Sequence, residues 1–457
     1  MLIPLSKLRF SMHTHLEICV FRGFHRISIC LFALLWISAG NPAAAQSVPT
    51  PAPAQELPVI FRNATIHTGT GEVLTGADLL IEAGKITGIG RVTTTFKVSR
   101  EINCEGKHIY PGLIAMNTTL GLLEIDQVRA TADYNESGRV NPNSRAIIGY
   151  NTDSRVIPTV RSNGILIAQI APRGGLLSGT SGVVHLDAWN WEDAAMATDE
   201  GIFMSWPELD IGVTVDKKDR KNREKEIEKE RRELEDVFDA ASAYRLAKST
   251  GYLRTSDLRY EAMLPMLERK MNLYIRANSE KQIRSAVEFG IRRDIRIVIV
   301  GGSSSWKLTE LLRENRIPVV LGSVHSLPET EDEDTDLPFR LPGMLKAAGV
   351  SFCISEEGFW QQRNLSFQAG TAAAYGLNKE EALRAITLEP AKIMGIDGRC
   401  GSLELGKDAT LLVTAGDLLD MITSNVEMAF IQGREIDLGN KQKDLYLKFR
   451  EKYFGVD

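Results

Sequence analysis

The chain reads as an α/β protein: a closed (β/α) barrel carrying a small β module made from both ends of the mature chain. Three observations predict this. First, eight short apolar runs are each followed by helical or loop sequence: Leu113–Met116, Ile165–Ile170, Val183–Leu186, Ile202–Ser205, Leu273–Ala277, Ile295–Val300, Pro318–Leu321 and Phe352–Ile354. That alternation suits parallel strands with crossover helices. Second, the stretch from Val59 is written instead as short alternating strands, VIFRNATIHTG, DLLIEAGKITGIG and FKVSREINCEGKHI, separated by Gly69, Gly71, Gly84 and Gly106. Third, β character returns late, in GSLELGKDATLLVTAG and VEMAFIQGREI. An open doubly wound sheet competes with the barrel, because short apolar runs read equally as strand or buried helix.

Composition fixes the broad class. The 457 residues are 43% hydrophobic and 25% charged, which suffices for one large core and a satellite module. A formal charge of −5 and a pI near 5.9 argue against nucleic acid and against anionic membrane surfaces as partners.

The first segment reads as a secretory signal. Arg22, His25 and Arg26 precede the apolar run Ile27–Ile37, Asn41-Pro42 breaks the helix, and Ala43-Ala44-Ala45 offers a small-residue cleavage site. Cleavage after Ala45 would make the protein secreted, in the periplasm. A membrane anchor is the alternative, for which the run is short. Translation from Met12 is equally compatible with the long leading segment. Of the five cysteines, Cys104, Cys353 and Cys400 stay in the mature chain, without CxxC spacing, and read as buried free thiols.

The expected organisation is a signal peptide over 1–45, a Pro-rich linker over 46–57, and the first part of the β module over 58–110. The barrel follows over 111–395, the second part of the module over 396–440, and a helix or tail over 441–457. A Pro-Gly pair, Pro111-Gly112, punctuates the junction before the first barrel strand, whose polar end is Asn117-Thr118-Thr119. Asp216–Asp236 has opposite charges three and four apart and reads as an exposed helix; its nearly cancelling signs disfavour a nucleic-acid arm. Glu329–Asp336 reads as a solvated acidic loop, lacking the glycine and spacing of a calcium hand. Ala171–Gly182, APRGGLLSGTSG, reads as a flexible Gly/Ser loop with Arg173 at its head; its backbone N–H groups are the alternative, an anion cradle, though no Walker-type ending is present.

The strand-rich start, then PGLIAM, then ALRAIT-EPAKI-GI and GSLELGKDATLLV, resembles the amidohydrolase superfamily, nearest its imidazolonepropionase- and prolidase-like branch. The resemblance runs from about Val59 to about Ile436, and its most specific part is Thr387, Pro390-Ala391, Gly401 and Leu405–Ala409. It implies a distorted (β/α)8 TIM barrel with a composite β-sandwich formed by the N- and C-terminal parts of the mature chain. It also implies a hydrolase acting on carbon–nitrogen bonds other than peptide bonds, such as cyclic amides, by activated water at the carbonyl carbon.

The family's divalent-metal centre is not written here. The His-x-His positions on the first barrel strand match Asn117 and Thr119, which offer no imidazole. The fourth strand, Phe203-Met204-Ser205, has no bridging lysine or glutamate, though Glu208 follows. The fifth-strand histidine matches Arg276, which repels a cation. The sixth falls in Gly301-Gly302-Ser303, and near the eighth-strand aspartate only Glu356 keeps a carboxylate. No cofactor is therefore expected.

If chemistry survives, Glu356 is the candidate base, His325 or His185 the proton shuttle, and Arg276 the oxyanion stabiliser. The same residues also read blandly, with His185 a satisfied semi-buried histidine and His325 a loop residue. Arg276 would otherwise pair with Glu356 or Glu124 or hold an anionic ligand bidentately. Asn117, Thr119 and Arg173 are the candidate substrate-binding residues. Glu124 and Asp126 are the fallback ligands for a rebuilt cation site. His67 and His108 lie in the β module and are given no role. The alternative function is a catalytically degenerate barrel that binds a small anion or partners an intact amidohydrolase. The expected partner is a small-molecule ligand, and the choice between homo-oligomer and hetero-oligomer stays open.

Overall fold

All eight apolar runs become strands of one curled sheet, in chain order. The computed structural model describes residues 50–93, 100–210 and 216–455, and Pro51–Asp457 forms one compact unit. The segment expected to be a signal peptide, residues 1–45, lies outside the described residues. The sheet comprises β6 (Leu113–Thr118), β7 (Ile165–Ile170), β8 (Leu177–His185), β9 (Ala195–Ser205), β10 (Asn272–Ala277), β11 (Ile297–Gly301), β12 (Val319–Leu321) and β13 (Phe352–Ile354), each paired with its sequence neighbours. Between the outer strands runs a two-residue bridge: Ile354 N–H donates to Ala385 O and Ile114 N–H to Ile386 O, both at 3.0 Å. The interior is filled by Met116, Ile167, Phe203, Tyr274, Val300 and Val320, and capped by Ala391 and Ile393 of the helix Leu388–Met394.

One run departs from the regular alternation. β8 is antiparallel to both β7 and β9, so the second, third and fourth runs form a meander rather than β/α units. The second half of the Gly/Ser stretch expected to be a loop, Leu177–Gly182, belongs to this buried strand. Its small residues are required by what packs on them. Thr180 N–H reaches Ser144 O at 2.7 Å, and a Cβ on Gly179, whose φ is +133°, would sit 2.5 Å from that same oxygen.

The helix-to-strand turns before β10 to β13 share one design. After the helices Leu258–Leu267, Glu280–Arg292, Thr309–Glu314 and Leu337–Ala347, the chain passes through a left-handed residue: Arg269, Asp294, Arg316 and Gly349. In each case that residue's N–H and the next one bond back into the last turn, as in Asp294 N–H to Ile291 O and Ile295 N–H to Gly290 O. After three of them a buried apolar residue follows, Ile295, Ile317 or Val350, and carries the chain under the sheet.

The β module is a second eight-stranded sheet assembled from β1 (Val59–His67), β2 (Val73–Glu82), β3 (Lys85–Gly90), β4 (Arg100–Asn103), β5 (His108–Pro111), β14 (Leu411–Thr414), β15 (Val426–Ile431) and β16 (Arg434–Glu435). The two ends of the chain meet where β5 pairs with β14, Pro111 opposite Leu411. Phe61 and Phe430 pack edge-on at 5.2 Å in its core. His67 and His108 belong to a clasp: His67 Nδ1 lies 2.7 Å from Glu380 Oε1, His67 Nε2 3.0 Å from His108 Nδ1, and Tyr110 stacks on His67 at 4.3 Å. Glu380 comes from the helix Lys379–Arg384, so the clasp ties the module to the barrel's outer layer.

The linker is docked in its described part: Ala52 N–H donates to Asp187 Oδ2, and the Gln55 amide bonds Ile81 O and the Gly84 N–H. The charged helix is longer than expected, Lys217–Ser249, capped by Asp216, because its second half buries Leu234, Phe238 and Ala241. Cys104, Cys353 and Cys400 are buried free thiols. The acidic loop is solvated apart from Glu333, which pairs with Lys307 at 3.1 Å.

Candidate functional site at the barrel mouth

The site begins with an irregularity in β6. Register with β7 shifts between Ala115 and Thr118, and Asn117 inside the shift adopts a left-handed φ of 55°. Its backbone is thereby freed from the ladder and turned to side chains. Asn117 N–H donates to Gln169 Oε1 at 3.1 Å, and its carbonyl accepts from Arg173 Nη2 at 3.0 Å. Its amide oxygen accepts from Arg276 Nη2 at 3.3 Å.

Arg276 stands at the end of β10 with its guanidinium 4.7 Å over the Phe203 ring, which stacks in turn on Tyr274 at 4.6 Å. Its Nη2 also donates to Pro172 O at 2.9 Å. Nε and Nη1, like Asn117 Nδ2, are buried without a partner. The expected pairing of Arg276 with Glu356 or Glu124 does not occur, and among the described residues no carboxylate lies within ion-pair distance of it. Burial, and then the positive charge of Arg173, push Arg276 well below the ordinary arginine range, with Glu357 opposing. Arg173 is itself lowered by burial; Glu357 Oε1 stands 3.7 Å from its Nη1. The solvent-exposed Glu357 thus pairs with Arg173 and acts on Arg276 only from beyond ion-pair distance.

Beneath this layer is a network the sequence did not announce. Glu200 Oε1 accepts from Tyr274 Oη at 2.5 Å, and Oε2 accepts from Gln169 Nε2 at 2.7 Å and Ser181 Oγ at 3.1 Å. Burial raises its carboxyl to about 7, against the pull of those hydrogen bonds. Glu200 precedes the apolar run expected as the fourth strand. Only antiparallel pairing with β8 extends β9 back to include it, so apolar periodicity gave no signal.

The remaining candidates have other partners. Glu356 is half-buried, takes a hydrogen bond from Gln368 Nε2, and is raised above the ordinary carboxylate range, chiefly by burial. With Asn278, Ser303 and Glu357 it lines a cavity of about 350 Å³. His325 is exposed, its Nε2 2.7 Å from Thr371 Oγ1. His185 does not join them. It is 5% exposed, both ring nitrogens lack partners, and burial followed by the charge of Arg399 lowers it to about 4. It lies on the reversed strand, and the charges that act on it are those of Arg399, Asp408, Arg434 and Asp193, with Glu356 not among them. Its neighbour Asp187 is held by Arg161 and Arg434. Thr119 is buried, its N–H on Gly358 O at 3.4 Å. Glu124 is turned to Asn151 and the Arg155 N–H, Asp126 is exposed, and Glu208 accepts from Asp210 N–H. Among the described residues no group of three or more His, Cys, Asp or Glu side chains can hold a metal ion. The donor set at the mouth, two arginines and an asparagine, does not fit the divalent metal usual in the family.

Comparisons with known proteins bear on the scaffold. The amidohydrolase family model matches residues 297–436. Amidohydrolase tasK of Hapsidospora irregularis is 23% identical over 413 residues, covering 78% of this chain; the matched region spans about 41% of that relative's length. An amidohydrolase structure from Thermotoga maritima MSB8 superposes with a TM-score of 0.72 at 26% identity, covering 83% of this chain and 99% of that one. More distant folds include molinate hydrolase, at TM-score 0.51 and 15% identity over 84% of this chain and 95% of its own. A zinc-bound adenosine deaminase from Xanthomonas campestris gives 0.50 at 13% identity, over 88% and 100%. In architecture this chain is similar to solved amidohydrolases, and residues 297–436 carry the sequence pattern of that family.

Proposed function

We propose that the barrel mouth binds a small anion through Arg276, Arg173 and Asn117, in a superfamily member that works without the histidine metal centre. The carrying observation is the Arg276 guanidinium, enclosed over Phe203 with two unpartnered nitrogens and no carboxylate within ion-pair distance among the described residues. An enclosed cation without counter-charge is costly, and a carboxylate or phosphate ligand that accepts from it relieves that cost. The site is tested by titrating small carboxylates, phosphates and N-acyl amino acids calorimetrically. Arg276→Met is expected to weaken the best ligand by at least about ten-fold, the scale of one charge-assisted hydrogen bond.

A second reading, hydrolysis of a carbon–nitrogen bond, is favoured by Glu356. Its raised carboxyl, at the edge of a cavity, suits a general base for water. The two readings combine in an anionic substrate such as an N-acyl amino acid. Secretion to the periplasm and association with an intact relative are further proposals, supported by the leading sequence and the degenerate metal positions respectively.

A further inference from the structure

The C-terminal helix Lys441–Phe454 buries none of its residues. It is fixed to the body at its first turn, where Asn440 Nδ2 donates to Ser162 Oγ at 2.8 Å and Gln442 Oε1 accepts from Thr159 Oγ1 at 2.9 Å. Fourteen residues are marginal as a free helix in water, so a surface that covers one face would stabilise it. At 3.6 residues per turn, Leu445, Tyr446, Phe449 and Tyr453 fall on one face, while the exposed Leu447 and Phe454 lie outside it. The four on that face are 41%, 63%, 48% and 67% exposed. Lys441, Lys448 and Lys452 border that face on one side and Lys443 and Arg450 on the other, while Asp444 and Glu451 take the opposite face.

We infer that this helix is an interfacial anchor, laying its Leu445–Phe449–Tyr453 face into an anionic lipid surface. Aromatic rings with a polar tip suit the headgroup boundary, and lysines at the borders reach lipid phosphates. The chain's net charge of −5 disfavours general attraction to such a surface, but the helix is locally +3 and its acids point away. A second copy is a poorer occupant, because a two-fold contact through this face would set one basic rim against another. Among the described residues no helix is long and apolar enough to cross a membrane, so this helix would lie in the surface rather than span it.

The test is flotation of the full chain with vesicles of phosphatidylcholine alone and with about three parts in ten phosphatidylglycerol. Neutral vesicles set the baseline for any apolar segment elsewhere. At low salt, anionic vesicles should bind at least about ten-fold more protein, and about 0.5 M salt should abolish the difference. Phe449→Ser with Tyr453→Ser, and separately Lys448→Glu with Lys452→Glu, should each remove it. None of these side chains is buried, so the variants should keep the parent's Tm and circular dichroism. Equal binding to both vesicle types, or an anionic preference untouched by both variants, would overturn the proposal. So would a concentration-dependent dimer that the serine variant dissolves.

Discussion

Arg276 and His185 show how differently two buried polar side chains can be placed by one barrel. Arg276 sits over an aromatic ring at the strand end where ligands bind, and its unmet hydrogen-bonding capacity points to function. His185 lies on the one reversed strand, and its unmet capacity is a stability term. A histidine lowered to about 4 gains protons on unfolding. Its contribution is therefore full above the unfolded value near 6.5 and is lost as pH falls towards 4, by up to roughly 3 kcal/mol. His185→Leu should flatten that loss in denaturant titrations run between pH 7 and 4, and an unchanged slope would refute the assignment. Glu200, raised to about 7, has the opposite sign: its contribution is present at low pH and fades as pH rises through 7. Arg276 was legible in the sequence because it occupies a strand end in LYIRAN. Glu200 was not, because its strand position exists only through antiparallel pairing.

The recurrent turn before β10 to β13 carries the clearest signal at the level of elements. Four helices end in the same left-handed motif, yet only one uses glycine, Gly349. At the others a Cβ-bearing residue accepts strain of about 1 kcal/mol. Arg316→Gly, at φ 54°, should raise stability by about 0.5–1 kcal/mol, while Gly349→Ala, at φ 73°, should lower it by about as much. Chemical denaturation of both variants checks the pair; a destabilised Arg316→Gly would mean its side chain does more than tolerate the turn. Strand identities were legible from apolar runs, and the direction of β8 was not. Glycine and serine in APRGGLLSGTSG signal a loop by composition, whereas here they make room for residues 139–145 to run parallel alongside the strand.

Across the whole molecule, the ends of the chain close one sheet, β5 against β14, and the His67–Glu380 contact ties that sheet to the barrel's outer layer. The module and barrel should therefore unfold together. Phe430→Ala removes a 1%-exposed ring and should cost about 3–5 kcal/mol. In a thermal scan it should lower one shared transition rather than split off a second. This architecture was legible because late motifs such as GSLELGKDATLLV are strongly patterned. The site was legible mainly as an absence, since Asn117, Thr119 and Arg276 announce what they cannot ligate. What they do instead depends on the β6 bulge, which no periodicity reveals. The central claim is that an arginine-built anion site replaces the metal centre. It is tested most directly by calorimetric titration of hippurate, a carboxylate carrying an amide, with and without chelator, into the parent and Arg276→Met. Binding should be indifferent to chelator and weakened at least about ten-fold in the variant. Binding abolished by chelator and restored by zinc, or untouched by Arg276→Met, would contradict it.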